Sequence, residues 1–282
     1  MSIRIIVDSA SDINQKEARE LGIDVIPMKV TFKNEEFLDG VDLLPNDFYE
    51  KLIESNELPK TSQVNPFDFE KYIKKAKENN EEVLIITISS KLSNTYQSAI
   101  IASSEFDEGV YVVDSMNVSV GERMLVLYAL KLIKEDKSIK EVVDILNQIK
   151  NKICIMARVD TLEYLKKGGR ISSLVAFAGE LFSIKPVVAL IDGKVKMIGK
   201  ARGSKNANNL LNKIVEEKGG IDFSMPFGAI YSGLTDLTLQ KYIKDSAHLW
   251  KDYVSDVPIH PIGSTIGTHV GPGAVGLAFF QK

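Results

Sequence analysis

Cysteine and long apolar runs are both scarce in this 282-residue chain. The single cysteine, Cys154, cannot form an internal disulfide, which suits a reducing compartment, and its apolar, strand-like surroundings favour a packed thiol over a reactive one. Even the apolar window 174–191 contains Glu180 and Lys185, so it falls short of the ~18 uninterrupted apolar residues that a membrane span needs. Asp8 lies too early for a secretory signal. We therefore expect a soluble, cytoplasmic protein.

The chain also lacks an excess of charge of either sign. Its 35 basic and 38 acidic residues are mixed throughout and give a formal net charge of −3. A basic surface for nucleic acid is therefore not indicated. The three histidines have neither the i,i+4 spacing nor the neighbouring cysteines that zinc sites use, so we expect no metal site.

Familiar catalytic and nucleotide-binding motifs are missing as well. No Walker loop occurs, and Thr265 stands where the serine of a G-x-S-x-G elbow would be. The glycine pattern of 271–276 has the letters of a dinucleotide fingerprint, but six residues after it leave no room for the helix and strand that such a site requires. The run 8–12 has Ala10 where aspartyl phosphotransfer would need a second carboxylate. We therefore expect no cofactor.

Strand-like and helix-like segments alternate in the first half of the chain. Such alternation, with helices as crossovers, predicts a mostly parallel sheet that is covered on both faces. The strand-like runs are 3–7, 24–30, 83–88 and 110–113. The helix-like stretches are 14–21, 46–55, 66–79, 92–104 and 116–134.

The second half has a different pattern, which predicts a mixed sheet. Asp192-Gly193 lies between two strand-like runs and is a two-residue hairpin signal. A helix is expected at 235–249. Further strands are expected at 227–231, 256–262 and 274–280.

A domain boundary is expected near residue 150. The stretch 139–150 repeats apolar residues at helical spacing, and a new strand begins near Lys152. We therefore predict a fold of the α/β class with two α/β domains. The N-terminal domain would comprise residues 1–150 and the C-terminal domain residues 151–282.

Hydroxyl side chains cluster at one predicted junction between a strand and a helix. The sequence Ser89-Ser90-Lys91-Leu92-Ser93-Asn94-Thr95 follows directly on the apolar run 83–88. Free N–H groups and the positive end of a helix dipole converge at such a junction, and Ser93 or Thr95 can add a hydroxyl donor without a charged side chain. We therefore expect this junction to bind a small acidic head group.

Thr61 and His269 are further candidates, and each has an ordinary alternative. His269 stands in a glycine-dense segment, 267–273, which predicts a loop where backbone can approach a ligand and an imidazole can donate a hydrogen bond. A solvated loop histidine explains the same letters. Thr61 lies in a polar loop, where a hydroxyl usually caps a turn. The residues alone leave both roles open.

Five motifs together resemble the DegV family of bacterial fatty-acid-binding proteins. They keep the order and the approximate spacing of that family from Ile5 to about Phe280. The motifs are DSASD at 8–12, TSQ at 61–63, the serine-rich junction at 89–99, TLEYLKKGGRIS at 161–172 and GTHVGPG at 267–273.

The resemblance implies a ligand site. Three residues match those that hold a fatty-acid carboxylate in the family, namely Thr61, Ser93 and His269. Their possible supporting neighbours are Ser62, Asn94, Thr95 and Thr268. A cationic rim that meets a partner kinase and the phosphorylated product would consist of Arg170, Lys200 and Arg202.

The resemblance also implies a non-catalytic role. One long-chain fatty acid would lie between the two domains and be presented to a separate ATP-dependent fatty acid kinase. The protein would then carry the acyl-phosphate towards phospholipid synthesis, with transient membrane contact at most. The apolar, helix-like stretch 173–184 contains small Ala176, Ala178 and Gly179, which could leave room for the tail, although core packing explains the same residues.

Two other functions stay open from the residues. In a serine hydrolase of acyl esters, Ser93 would be the nucleophile and His269 its base, but an elbow motif and an orienting acid are missing. A lipid sensor or interaction protein without a kinase partner is the other alternative.

Overall fold

The computed structural model describes residues 2–171 and 183–282. The predicted apolar helix at 173–184 lies outside the described residues except for its last two positions. The strands of the first half are β1 (Ile3–Asp8), β2 (Asp24–Ile26), β3 (Lys29–Phe32), β4 (Glu35–Leu38), β5 (Lys60–Ser62), β6 (Glu82–Thr87) and β7 (Val110–Asp114). Its helices are α1 (Gln15–Leu21), α2 (Pro45–Glu54), α3 (Pro66–Glu78), α4 (Thr95–Ser103), α5 (Val120–Lys134) and α6 (Ile139–Ile149).

Four of these strands form a fully parallel sheet in the order β2-β1-β6-β7. The central strands read as continuous apolar runs because both faces of the sheet are covered, and the side chains of residues 83–86 are buried. The predicted parallel sheet is therefore confirmed. The sequence did not indicate a second, small antiparallel sheet in the order β4-β3-β5.

The second half contains the strands and helices of a mixed sheet. Its strands are β8 (Ile153–Arg158), β9 (Ile184–Ile191), β10 (Lys194–Arg202), β11 (Phe227–Tyr231), β12 (Ile259–Pro261) and β13 (Val275–Phe280). Its helices are α7 (Glu163–Lys167), α8 (Gly203–Glu217), α9 (Leu237–Asp245) and α10 (Ser264–Val270).

The six strands of this sheet lie in the order β10-β9-β8-β13-β11-β12. The β11–β12 pair is parallel and the other pairs are antiparallel. β9 and β10 form the predicted hairpin, with Asp192 and Gly193 both at positive φ in the two-residue turn. Together the parallel and mixed sheets confirm the predicted α/β class, while the division at residue 150 stays a prediction.

Helix α5 joins the two sheets. It contacts β1 and β6 of the parallel sheet and also β8, β11 and β13 of the mixed sheet. Its residues 120–126 are all buried, because a helix between two sheets has no solvent face. The apolar core therefore runs through α5 from one sheet to the other. Within the described ranges, no helix is both long and apolar enough to cross a membrane.

Two carboxylates of the first half hold the start of α10. Asp12 Oδ1 accepts a hydrogen bond from the Gly263 N–H at 2.8 Å. Asp39 Oδ1 accepts from the Ser264 N–H at 3.0 Å and from the Ser264 hydroxyl at 2.5 Å. These acceptors satisfy N–H groups that a helix start leaves unpaired, and negative charge is favourable there. α10 is therefore fixed against the first half of the chain.

Three sequence expectations need correction. The expected strand 24–30 is divided between β2 and β3 in different sheets, with Pro27, which has no N–H to donate, at the break. The expected helices at 92–104 and 116–134 begin only at Thr95 and Val120, after polar loops. The expected glycine loop around His269 is instead helix α10.

Close packing against α2, and not a loop conformation, accounts for the glycine at 267. A Cβ at this position would lie 2.5 Å from Phe48 Cε1 and 2.7 Å from Tyr49 Oη. Gly267 therefore serves helix packing against α2, and its sequence signal is the same as that of a loop glycine.

Glu122 on α5 generates a testable prediction about stability. Its side chain is fully buried, neither carboxyl oxygen has a hydrogen-bond partner in the described ranges, and burial raises its pKa well above the ordinary value. The folded protein therefore favours the protonated, neutral carboxyl of Glu122 over the ionised one. Between the unfolded-state and folded-state pKa values, this one group lowers the free energy of unfolding by about 1.4 kcal/mol per pH unit as the pH rises.

We expect Glu122→Gln, which is neutral at every pH, to be more stable than the wild type at pH 8 and to approach it near pH 4. Urea unfolding at several pH values measures this difference. Glu141→Gln is the control, because Glu141 is exposed and its pKa is lowered by hydrogen bonds from Ser138, so its contribution has the opposite sign. A constant difference between wild type and Glu122→Gln across this pH range would contradict the neutral carboxyl.

Candidate functional site

Thr61, Ser93 and His269 line one cavity. Thr61 lies on β5, Ser93 in the loop between β6 and α4, and His269 in the last turn of α10. We call this space the mouth cavity. Its described lining also includes Arg170 and Gln63, together with apolar residues deeper inside. The fold thus brings together the three candidate residues from distant parts of the chain.

A direct hydrogen bond joins two of these residues. Thr61 Oγ1 and His269 Nε2 are 2.9 Å apart. His269 Nδ1 is buried and has no hydrogen-bond partner in the described part of the chain. A buried lone pair is tolerated better than a buried unpaired N–H, so we assign the ring proton to Nε2, which donates to Thr61. The Thr61 hydroxyl proton is then free to be donated to another group.

His269 is neutral at physiological pH. Burial of the imidazole, and secondarily the nearby charge of Arg170, lower its pKa to about 4. Because the protonated form is disfavoured in the folded protein, this group costs stability only when the pH falls below its ordinary pKa of 6.5. His269 therefore contributes a hydrogen bond to the cavity and no positive charge.

Ser93 is held by Thr95. The two hydroxyl oxygens are 2.9 Å apart, and Ser93 Oγ also accepts from the Thr95 N–H at 3.3 Å. Thr95 in turn accepts from the Val64 N–H at 3.3 Å, which connects this loop to the chain just after β5. The loop that carries Ser93 therefore has a defined position relative to Thr61.

The remaining sequence candidates occupy different places. Ser62 lines the mouth cavity, whereas Asn94 lines a second space outside it. The Thr268 hydroxyl donates to the Ser264 carbonyl within α10 at 2.9 Å, and Thr268 does not line either space. Lys200 and Arg202 lie on β10 and are not among the described lining residues of the mouth cavity.

Arg170 lines both the mouth cavity and a recess outside it, whereas Lys200 and Arg202 on β10 line neither. Its Nε donates to the Leu92 carbonyl at 3.2 Å, and its Nη1 donates to the Gly168 carbonyl at 2.7 Å. These two bonds hold the guanidinium between the Ser93 loop and the end of α7. Arg170 therefore belongs with the three candidate residues rather than with Lys200 and Arg202.

The mouth cavity continues into an apolar space, which we call the inner cavity. It shares five lining residues with the mouth cavity. The shared residues are Val118, Leu165, Val195, Ile266 and Val270. Apart from Ser119, whose hydroxyl donates to Asp12, every described residue that lines the inner cavity is apolar. The two cavities form one passage that is polar at one end.

A polar recess lies outside the mouth cavity. We call it the outer recess. It shares Thr61, Ser93 and Arg170 with the mouth cavity and adds Lys91 and Asn94. The candidate residues therefore separate an apolar interior from a polar exterior.

Sequence reasoning missed most of the lining. Val118 lies in the loop before α5, Val195 on β10 and Ile266 on α10, and nothing in their local sequence distinguishes them from other core residues. Gln63 and Lys91 lie within two of the five motifs, which are the available sequence signal for them. No group of three or more acidic, histidine or cysteine side chains suited to a metal ion occurs within residues 2–171 and 183–282.

Known proteins resemble this chain over nearly its full length. A family model described as an uncharacterised protein of the DegV family matches residues 2–282. A DegV domain-containing protein of Deinococcus radiodurans is 33% identical over 282 residues, which cover 99% of this chain and 98% of the relative. A DegV domain-containing protein of Clostridium perfringens is 34% identical over 285 residues, which cover 98% and 96% of the two chains.

Two solved structures share the fold over the full chain. A DegV lipid-binding protein of Thermotoga maritima is 31% identical with a TM-score of 0.88, covering 100% of this chain and 99% of its own. A DegV family protein of Thermus thermophilus, described for fatty acid binding, is 33% identical with a TM-score of 0.89 and full coverage of both chains. The chain therefore belongs to the DegV family.

Proposed function

We propose that this protein binds one long-chain fatty acid, with the tail in the inner cavity and the carboxylate in the mouth cavity. The observation that carries the proposal is the continuous passage with hydroxyl and imidazole groups at one end and an apolar lining at the other. The Thermotoga and Thermus relatives are described as lipid-binding and fatty-acid-binding proteins, which supports the same ligand class.

The tail supplies most of the affinity. Each buried methylene contributes about 0.8 kcal/mol, so a tail of ~16 carbons offers on the order of 12 kcal/mol before the costs of ordering. With that contribution the carboxylate needs orientation more than tight binding. Hydrogen bonds from Thr61 and Ser93 orient it, and the guanidinium of Arg170 supplies the positive charge.

Presentation to a partner is the second part of the proposal. The carboxylate end of the passage faces the outer recess, which contains Lys91 and Arg170 and is open to a second protein. A separate fatty acid kinase would bring ATP to this recess. The carboxylate oxygen attacks the γ-phosphorus, ADP leaves, and the acyl-phosphate stays bound for transfer.

The geometry disfavours the alternative of a serine hydrolase. In the described contacts, Ser93 is paired with Thr95, whereas His269 is paired with Thr61. A catalytic histidine also needs an orienting acid on its other ring nitrogen, and Nδ1 of His269 has no partner in the described ranges. Neither the base nor its orienting group is in place for nucleophilic attack.

Mass spectrometry of the purified protein tests the ligand class directly. We expect organic extraction to release an intact long-chain fatty acid in about equal amount to the protein, while the protein mass itself stays unmodified. A covalent adduct on Ser93 would favour the hydrolase. An extract without any fatty acid, combined with no binding in a titration, would reject the carrier.

Removal of the hydroxyl of Ser93 or Thr61 should weaken fatty-acid binding without affecting the fold. A hydrogen bond to a charged group is worth about 1.5–3 kcal/mol, so Ser93→Ala and Thr61→Val should each raise the Kd for a long-chain fatty acid by about 10-fold or more. Ser103→Ala is a matched control, since its hydroxyl donates to Ile100 within α4, away from the cavities. Titration with a fluorescent fatty acid measures all three variants. Equal affinities across the set would remove both hydroxyls from the site.

Substitutions of Arg170 and Arg202 should have different effects, because only Arg170 lines the mouth cavity. Arg170→Ala should weaken fatty-acid binding because it removes the guanidinium from the mouth cavity. Arg202→Ala should leave fatty-acid binding unchanged, since Arg202 is exposed at the end of β10, and should reduce only phosphorylation by the kinase. Acid binding and acyl-phosphate formation, trapped with hydroxylamine, are compared on the same preparations. If Arg170→Ala bound fatty acid with wild-type affinity, Arg170 would have no role in holding the carboxylate.

A further inference from the structure

Helices α7 and α10 interlock through two glycines. The ring of His269 on α10 lies over Gly168 at the end of α7, where an added Cβ would be 3.0 Å from Cε1 and closer still to Nδ1. In return, the ring of Tyr164 on α7 lies against Gly271, where an added Cβ would be 2.5 Å from Cε2. Each glycine therefore provides space for an aromatic ring of the other helix.

A glycine is needed at position 168 because a side chain would not fit there, and not because of the backbone conformation. Its φ of −75° and ψ of −7° lie in the right-handed helical region, which alanine adopts without strain. Its N–H donates to the Tyr164 carbonyl at 2.8 Å, a bond that alanine would also make. A methyl group here would therefore displace the imidazole of His269, and it would also lie 3.0 Å from the Tyr164 carbonyl oxygen, a tight contact that a small shift of the backbone relieves.

Gly168 also contacts the second group of the site. Its carbonyl accepts the hydrogen bond from Arg170 Nη1 at 2.7 Å. One residue thus determines where the imidazole lies and holds one side of the guanidinium. His269 in turn reaches Thr61 by its Nε2, the ring nitrogen opposite Gly168.

The geometry points to Gly168 as a positioning residue of the head-group site, which seats the His269 ring so that it reaches Thr61. The expected effect on fatty-acid binding rests on the proposed function. The position of the His269 ring over Gly168 does not depend on it. Gly168→Ala breaks the hydrogen bond between His269 and Thr61. The Kd for a long-chain fatty acid then rises about as much as in His269→Ala, roughly 10-fold or more.

Imidazole NMR of the ligand-free protein tests the seating. The chain has three histidines, and His269→Gln identifies the signals of His269. In Gly168→Ala we expect these signals to shift, and the pKa of His269 to move from about 4 towards 6.5 as the ring leaves its buried seat. Unchanged His269 signals would overturn the assignment.

Gly228→Ala is the matched control. A Cβ there would lie 2.9 Å from Cδ2 of His260, a histidine that lines neither the mouth cavity nor the inner cavity. We expect it to shift the signals of His260, leave those of His269 in place and keep the wild-type affinity for fatty acid. A Gly228→Ala protein that loses binding equally would overturn a specific role of Gly168.

A double variant separates positioning from general damage. In Gly168→Ala/His269→Ala the added methyl occupies space that the ring has left, so the fold is retained even where Gly168→Ala alone misfolds. Its Kd should equal that of His269→Ala. A further loss of affinity or of stability in the double variant would mean that Gly168 acts elsewhere. If Gly168→Ala shifted the His269 signals but kept the wild-type affinity for fatty acid, Gly168 would position the ring, and His269 would have no role in binding the carboxylate.

Discussion

Hydrogen bonds from the start of α10 to Asp12 and Asp39 are the constraint on which the site depends. In the chain, α10 lies between β12 and β13 of the mixed sheet, yet its N–H groups are satisfied by carboxylates that follow β1 and β4 in the first half. Because unpaired helix N–H groups are costly when buried, α10 cannot move away from the first half. His269, Ile266 and Val270 therefore keep their positions, and both cavities keep their shape.

The polar end of the passage is lined mainly by neutral groups, because burial of a charge is costly. The neutral imidazole and two hydroxyls are inexpensive to enclose, whereas a lysine in the same place would require a compensating charge. Arg170 carries the positive charge and is held by two backbone carbonyls. This division suits a ligand whose apolar part is buried and whose carboxylate must stay reactive at the surface.

The inner cavity lies between the mixed sheet and α10. Its apolar walls come from β8, β9 and β11 and from α10, with Val118 from the loop before α5, so the space exists only after α10 and this loop have packed on the mixed sheet. Loss of ligand binding in a variant with intact secondary structure would be understandable on this basis, because docking and not strand formation creates the cavity.

Local signals predicted the parallel sheet, the hairpin at Asp192-Gly193 and the hydroxyl-rich junction at Ser93, since each depends on neighbours in sequence. They did not predict the small antiparallel sheet or helix α10. The DegV resemblance added the carboxylate role of the three candidate residues. Only the tertiary structure decided that Thr61 and His269, 208 residues apart, share a hydrogen bond and that Arg170 joins them. It also decided that Gly267 belongs to a helix, because the side chains of Phe48 and Tyr49 that require a glycine there are distant in the chain.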